Sequence, residues 1–172
     1  HHGHIEVDSK LGVGTTFRLW LPAAATAPVP VPERSNTASP FPLRVLFMDD
    51  EPTIRHMAGL FFERIGANGE MAADGAEALA KYRQARESGR PFDVVIMDLT
   101  VPGGMGGREA MERLRAYDPD VKAIVSSGYS RDPVLANYRR HGFRGILPKP
   151  YGLEQLRRAL HEITETPLDA GI

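Results

Sequence analysis

Asp49, Asp50 and Asp98 stand directly after apolar runs, in "LRVLFMDD" and "VVIMD"; Ser126, Ser127 and Lys149 hold the same place after "AIV" and "RGILP". A run of that kind reads as a buried strand that delivers its last residues to a sheet edge. Carboxylates gathered at one edge repel, and one must take a proton unless a cation neutralises them. With no histidine or cysteine among them the donors are hard oxygens, which favour Mg²⁺ over zinc. A partly hydrated Mg²⁺ invites phosphate oxygens as its remaining ligands, and a lysine with a small hydroxyl, here Lys149 with Ser126 or Ser127, suits the other phosphoryl oxygens. The remaining aspartate is then free to act as a nucleophile. Each residue also has a plain structural role open to it: Asp50 can cap a helix, Ser126 can end a strand and Lys149 can be a solvated charge. Their common place at one end of the inferred sheet favours the chemical reading.

The elements that must position these residues follow from periodicity and punctuation. After the strand from Leu43 to Met48, Pro52 suits the first turn of a helix whose apolar face is Ile54, Met57, Ala58, Phe61, Phe62 and Ile65, stopped by Gly66. "ANGEMAA" is a short strand, and Asp74 with Glu77 has the spacing of a capping box opening a second helix. "FDVVIMD", "VKAIVSSG" and "RGILPKP" are the remaining strands, separated by a third helix in "REAMERLRAYDP" and a fourth opened by Asp132 and Pro133; "LEQLRRALHEI" is a final amphipathic helix. Alternation of this kind predicts an α/β fold: five parallel strands with helices on both faces and a site beyond the carboxyl ends of the strands. Gly103, Gly104, Gly106 and Gly107 are not a phosphate-binding P-loop, which needs a lysine and a Ser or Thr after the last glycine; they read as a loop passing close to the metal site.

Composition bounds the partners. Across 172 residues, 21 basic side chains nearly balance 22 acidic ones, which gives no support for a nucleic-acid or membrane-surface partner. There is no cysteine, so disulfides and thiolate metal sites are excluded. No run approaches the ~20 apolar residues of a membrane span and the first residues do not resemble a signal peptide, so a soluble chain is expected. "HHGH" reads as a polar loop or a tag remnant rather than a metal site. Residues 22–42 carry six of the fourteen prolines and no periodicity, the mark of a linker that would span roughly 65 Å if extended in polyproline form. It separates a head (1–21) from a body (43–166), with a tail at 167–172. The head alternates as a hairpin with arms His4 to Val7 and Thr15 to Leu21.

"LFMDDEP", "VVIMDLTVPGGMGG", "IVSSGYS" and "LPKP", in this order and spacing, resemble the receiver domain of two-component signalling proteins over about Leu43 to Thr166. The resemblance implies a flavodoxin-like sheet in strand order 2-1-3-4-5, and phosphoryl transfer from a phosphohistidine to Asp98. It further implies Mg²⁺ held by Asp50 directly, Asp49 through water, Asp98 and the backbone carbonyl of Thr100, with Ser126 and Lys149 on the phosphoryl group. A cis peptide between Lys149 and Pro150 is implied as well. The partners would be the phosphohistidine domain of a sensor kinase or a histidine phosphotransfer protein, with weak self-association, in the cytoplasm. Receivers often carry Tyr or Phe three residues before the lysine, but Ile146 stands here, so the switch around the fourth helix and fifth strand is expected to run mainly through the Ser126 loop. Gly128 leaves one side of the phosphoryl site open to water. The head, with "GVGTTF", resembles the last strands of the ATP-binding domain of sensor histidine kinases, without the boxes that hold ATP or the phosphorylated histidine helix; the order of parts is that of a hybrid sensor kinase whose core lies outside this chain. Two alternatives stand beside this reading. One is a pseudo-receiver that only binds a partner; the other is a phosphohydrolase of the dehalogenase type, which needs an acid where Thr100 stands.

Overall fold

A computed structural model describes residues 2–23, 42–128 and 133–165. The chain divides into two units, His1–Thr37 and Ala38–Ile172. In the first, β1 (His4–Lys10) pairs antiparallel with β2 (Gly14–Trp20), both arms being longer at the turn than the alternation predicts. Register sets Ile5 against Leu19 and Val7 against Phe17. This makes one apolar face, and all four side chains are exposed. The linker residues 24–41, Thr166 and the tail 167–172 lie outside the described residues.

The second unit is the α/β body. Its strands are β3 (Arg44–Met48), β4 (Asn68–Ala72), β5 (Val94–Asp98), β6 (Ala123–Ser127) and β7 (Gly145–Pro148). They form one parallel sheet in the order β4-β3-β5-β6-β7, which is the order 2-1-3-4-5 expected for the body. The apolar runs are unbroken because β5 and β6 are buried on both faces. Strand alternation splits the core in two. Leu46, Met48, Val95, Met97 and Val125 pack with Ala78, Tyr82, Met111 and Leu114 from α2 (Gly75–Glu87) and α3 (Gly107–Tyr117). On the other face Val45, Phe47, Ile96 and Ile124 pack with Phe62 and Ile65 from α1 (Pro52–Ile65) and Leu156 and Leu160 from α5 (Leu153–Glu165). No helix among the described residues is long and apolar enough to cross a membrane.

Gly66 ends α1 in the left-handed conformation, φ 75°. Asp74 caps α2 by accepting from Glu77 N at 2.8 Å, while the Glu77 carboxylate reaches back to Ala73 N at 2.7 Å rather than to the cap residue itself. The fourth helix starts at Pro133, where it is expected, and is short. It is one turn, α4 (Pro133–Ala136), followed by a 3-10 turn at Tyr138–His141; Asp132 lies outside the described residues. The apolar stripe here is only Val134, Leu135 and Tyr138, and Asn137 between the two pieces leaves helical geometry at φ −129°, ψ 31°. So short a stripe does not support several turns.

Candidate functional site

The carboxyl ends of β3, β5, β6 and β7 bring most of the chosen residues together. Asp49 follows β3 and is buried, Asp98 ends β5, and one carboxylate oxygen from each of Asp49, Asp50 and Asp98 lies within 4.8 Å of the others. Asp50 is exposed on the rim. Lys149, from the loop after β7, bridges the two buried acids: its Nζ donates to Asp49 Oδ2 at 2.6 Å and Asp98 Oδ2 at 2.7 Å. The ammonium thereby does part of the neutralisation that crowded carboxylates need. An all-oxygen set of three carboxylates fits a hard divalent cation and offers a softer metal nothing.

Burial pushes the Asp98 carboxyl above its ordinary range; Lys149 works against this and the neighbouring charge of Asp49 adds to it. For Lys149 burial acts against the charge, but the hydrogen bonds to Asp49 and Asp98 outweigh it and hold the ammonium above its ordinary value. The second oxygen of Asp98 is weakly held, by Thr100 N at 3.5 Å. Thr100 itself is exposed, at the start of the loop that follows β5.

The glycine-rich loop has a clear task in this geometry. A Cβ on Gly107 would lie 2.5 Å from the carbonyl oxygen of Asp98, and one on Gly106 would strike the Leu99 carbonyl. The paired glycines thus let α3 start hard against the main chain that carries Asp98. Met105 O also accepts from Gly75 N at 2.8 Å, which ties the loop to the first residue of α2.

Ser126 is placed beside Asp98 by register, as expected, but its hydroxyl donates into the sheet, to the Leu147 carbonyl at 3.1 Å. Ser127 is equally buried and one residue nearer the open edge, next to the exposed Gly128. Ile146, at the position where an aromatic switch was sought, stands 39% exposed on β7. The Lys149–Pro150 peptide is cis.

Two neighbours escaped the sequence reading. Arg55, on α1, donates from Nη1 to the Asp49 carbonyl at 2.7 Å and the Asp50 carbonyl at 2.9 Å. Tyr151 buries its ring in the core beside α5; burial first, and then the charges of Asp49 and Asp98, hold its phenol above the ordinary range. "KPY" places that ring two residues from the lysine, but nothing in the sequence says that it turns inward.

Residues 45–161 match the response regulator receiver domain family. The chain belongs to that family. Sensor kinase CckA of Brucella abortus is 34% identical over 172 residues, covering 95% of this chain and 18% of that protein. Among solved structures, chemotaxis response regulator CheY4 of Vibrio cholerae is 31% identical with a TM-score of 0.62, covering 71% of this chain and 98% of that one. TrrA of Thermotoga maritima, solved in complex with Mg(2+)-BeF, is 26% identical with a TM-score of 0.61, covering 70% and 98% of the two chains. This receiver therefore has the CheY-like flavodoxin fold and is a component of two-component phosphorelay signalling. The chain spans less than a fifth of the sensor kinases CckA and AruS that it resembles.

Proposed function

We propose that this receiver accepts a phosphoryl group on Asp98 from a phosphohistidine of a sensor kinase or phosphotransfer domain. The observation that carries the reading is Lys149 bridging Asp49 and Asp98 while Asp98 keeps a weakly held second oxygen. An Asp98 oxygen bonds to phosphorus as the phosphorus–nitrogen bond breaks, and the imidazole leaves with the electron pair. Lys149 donates to the incoming oxygens from the place where it now holds Asp49 and Asp98. Asp49, Asp50, Asp98 and the Thr100 carbonyl are the groups that would hold Mg²⁺, whose charge compensates the phosphoryl oxygens. The sensor-kinase relative aligned over 95% of this chain supports placing the receiver, linker and hairpin head within a hybrid kinase.

Ser126 is the proposed hydroxyl contact and the start of the switch toward α4 and β7. It must first release the Leu147 carbonyl, and Ser127, equally buried and next to the exposed Gly128, stands as a second candidate for the contact. Beryllofluoride, a phosphoryl mimic, separates the two: amide shifts over 134–151 that shrink in Ser126→Ala alone select Ser126, and those that shrink in Ser127→Ala alone select Ser127.

Incubation with Mg²⁺ and acetyl phosphate, followed by intact mass, tests phosphoryl acceptance. One phosphoryl adduct is expected, prevented by EDTA and absent in Asp98→Asn. An unmodified wild-type mass with active donor would leave the pseudo-receiver reading in its place.

A further inference from the structure

We propose that Arg55 is the positioning residue of the acid pair, fixing the main chain between Asp49 and Asp50 so that both carboxylates face one cation. The inference rests on the metal site proposed above.

Asp49 and Asp50 differ in how their side chains are held. The Asp49 carboxylate accepts from Glu51 N at 3.0 Å on one oxygen and from Lys149 at 2.6 Å on the other. Asp50 is exposed, and its carboxylate makes no hydrogen bond or ion pair among the described residues. Its direction is therefore inherited from its backbone. Nothing caps the start of α1 from a side chain either: Glu51, the cap residue, is extended and makes no such bond. Besides the bond from Glu51 N to the Asp49 carboxylate, this stretch is held by Arg55, whose Nη1 takes the carbonyls of both Asp49 and Asp50. Two consecutive peptide groups gripped from one point cannot rotate independently, and charge-assisted bonds of this type are the stronger ones.

Electrostatics alone predicts the opposite consequence. A guanidinium beside the acids repels an incoming cation, so a purely coulombic role means that its removal tightens Mg²⁺ binding. Positioning means that its removal weakens binding, because the cation must then order the loop itself. The sign of the change decides between them.

The experiment is a Mg²⁺ titration of the whole chain, followed by calorimetry and amide shifts, on wild type, Arg55→Gln and Arg55→Lys, with thermal melts to confirm folding. Arg55→Gln is expected to raise the Mg²⁺ Kd about fivefold to tenfold, as for loss of a charge-assisted bond. Arg55→Lys, which keeps the charge and a donor, falls between. At saturating Mg²⁺ the phosphorylation rate of Arg55→Gln returns to the wild-type value, so the loss lies in half-saturation and not in maximal rate. An unchanged or tighter Kd in a folded Arg55→Gln overturns the inference and leaves the metal site standing. Wild type that takes up no Mg²⁺ overturns the metal site and the inference together.

Discussion

Asp98 and Asp118 are both buried carboxylates, 8% and 5% exposed, at opposite ends of the same sheet, and they are partnered in opposite ways. Asp118 lies between α3 and β6, on the amino side of the strands. One of its oxygens accepts from the Tyr82 hydroxyl at 2.6 Å and from Arg86, the other from Asp120 N at 3.1 Å. Its main chain is engaged as well, with Leu114 O and Val121 N. Asp98 has one oxygen on Lys149 and the other barely held. A carboxylate whose acceptor sites are all filled from fixed partners is a staple; one that is crowded by another acid and left with a spare oxygen is poised for a ligand. Their neighbours are shifted accordingly. Burial and the hydrogen bond to Asp118 raise the Tyr82 phenol, which locks that proton between them.

The comparison is broken most severely by exchanging what each acid loses. Asp98→Asn should abolish phosphoryl uptake completely while leaving the melting temperature unchanged or higher, because burial already disfavours the charge that is removed. Asp118→Ala should do the reverse. It orphans the buried Tyr82 hydroxyl and should cost about 2–4 kcal/mol in urea unfolding, with full phosphoryl uptake at temperatures where the protein stays folded. If Asp118→Ala also lost phosphorylation while folded, the division between staple and site would fail.

Gly107→Ala sharpens the comparison, because it acts on structure and site together. The added Cβ meets the Asp98 carbonyl at 2.5 Å, a backbone obstacle that cannot step aside like the end of a side chain. A loss of roughly 1–3 kcal/mol is expected, as for overpacking, along with slower phosphorylation. A variant with wild-type stability would show that α3 tolerates more room than the geometry gives it.

Particular residues show what the sequence carries and where it stops. A parallel sheet with Asp49, Asp98 and Lys149 at one edge was legible because unbroken apolar runs ending in charges leave little choice of edge, whereas the strand order came from the resemblance to receivers. The Asp118 staple was not: "AYDP" reads as a helix exit, and its partner Tyr82 is 36 residues away on another helix. Arg55 was hidden because a polar residue off the apolar face of α1 reads as solvent-facing, and its carbonyl partners come from the fold of the preceding loop. Its place at the end of an apolar run puts Ser126 at the same edge as Asp98 but says nothing of the rotamer that turns its hydroxyl to Leu147. The start of the fourth helix at Pro133 was legible because punctuation marks a start, whereas its length was not, since that depends on how much apolar stripe follows.

The smallest expected effect is at the α2 cap. Hydrogen bonds from Lys81 first and Ala73 N second hold the Glu77 carboxyl below its ordinary 4.5. A depressed carboxyl adds stability that is present above its unfolded value and lost as pH falls through its folded one. Glu77 is 42% exposed, so Glu77→Gln should cost only a few tenths of a kcal/mol above that value, in line with exposed pairs. Urea midpoints of the two proteins, followed between about pH 3 and 6, should converge at the acid end. A gap that widened as pH fell would have the wrong sign.

The central claim is that Asp98, and no other acid at the carboxyl edge, forms the bond to phosphorus. Borohydride reduces an acyl phosphate to an alcohol at the residue that carries it and leaves free carboxylates alone, so treatment of the phosphorylated protein followed by tandem mass spectrometry reads the site directly. The account predicts reduction at Asp98 alone, dependent on Mg²⁺. Reduction at Asp49 or Asp50 would contradict it, as would a phosphoryl adduct that borohydride does not remove.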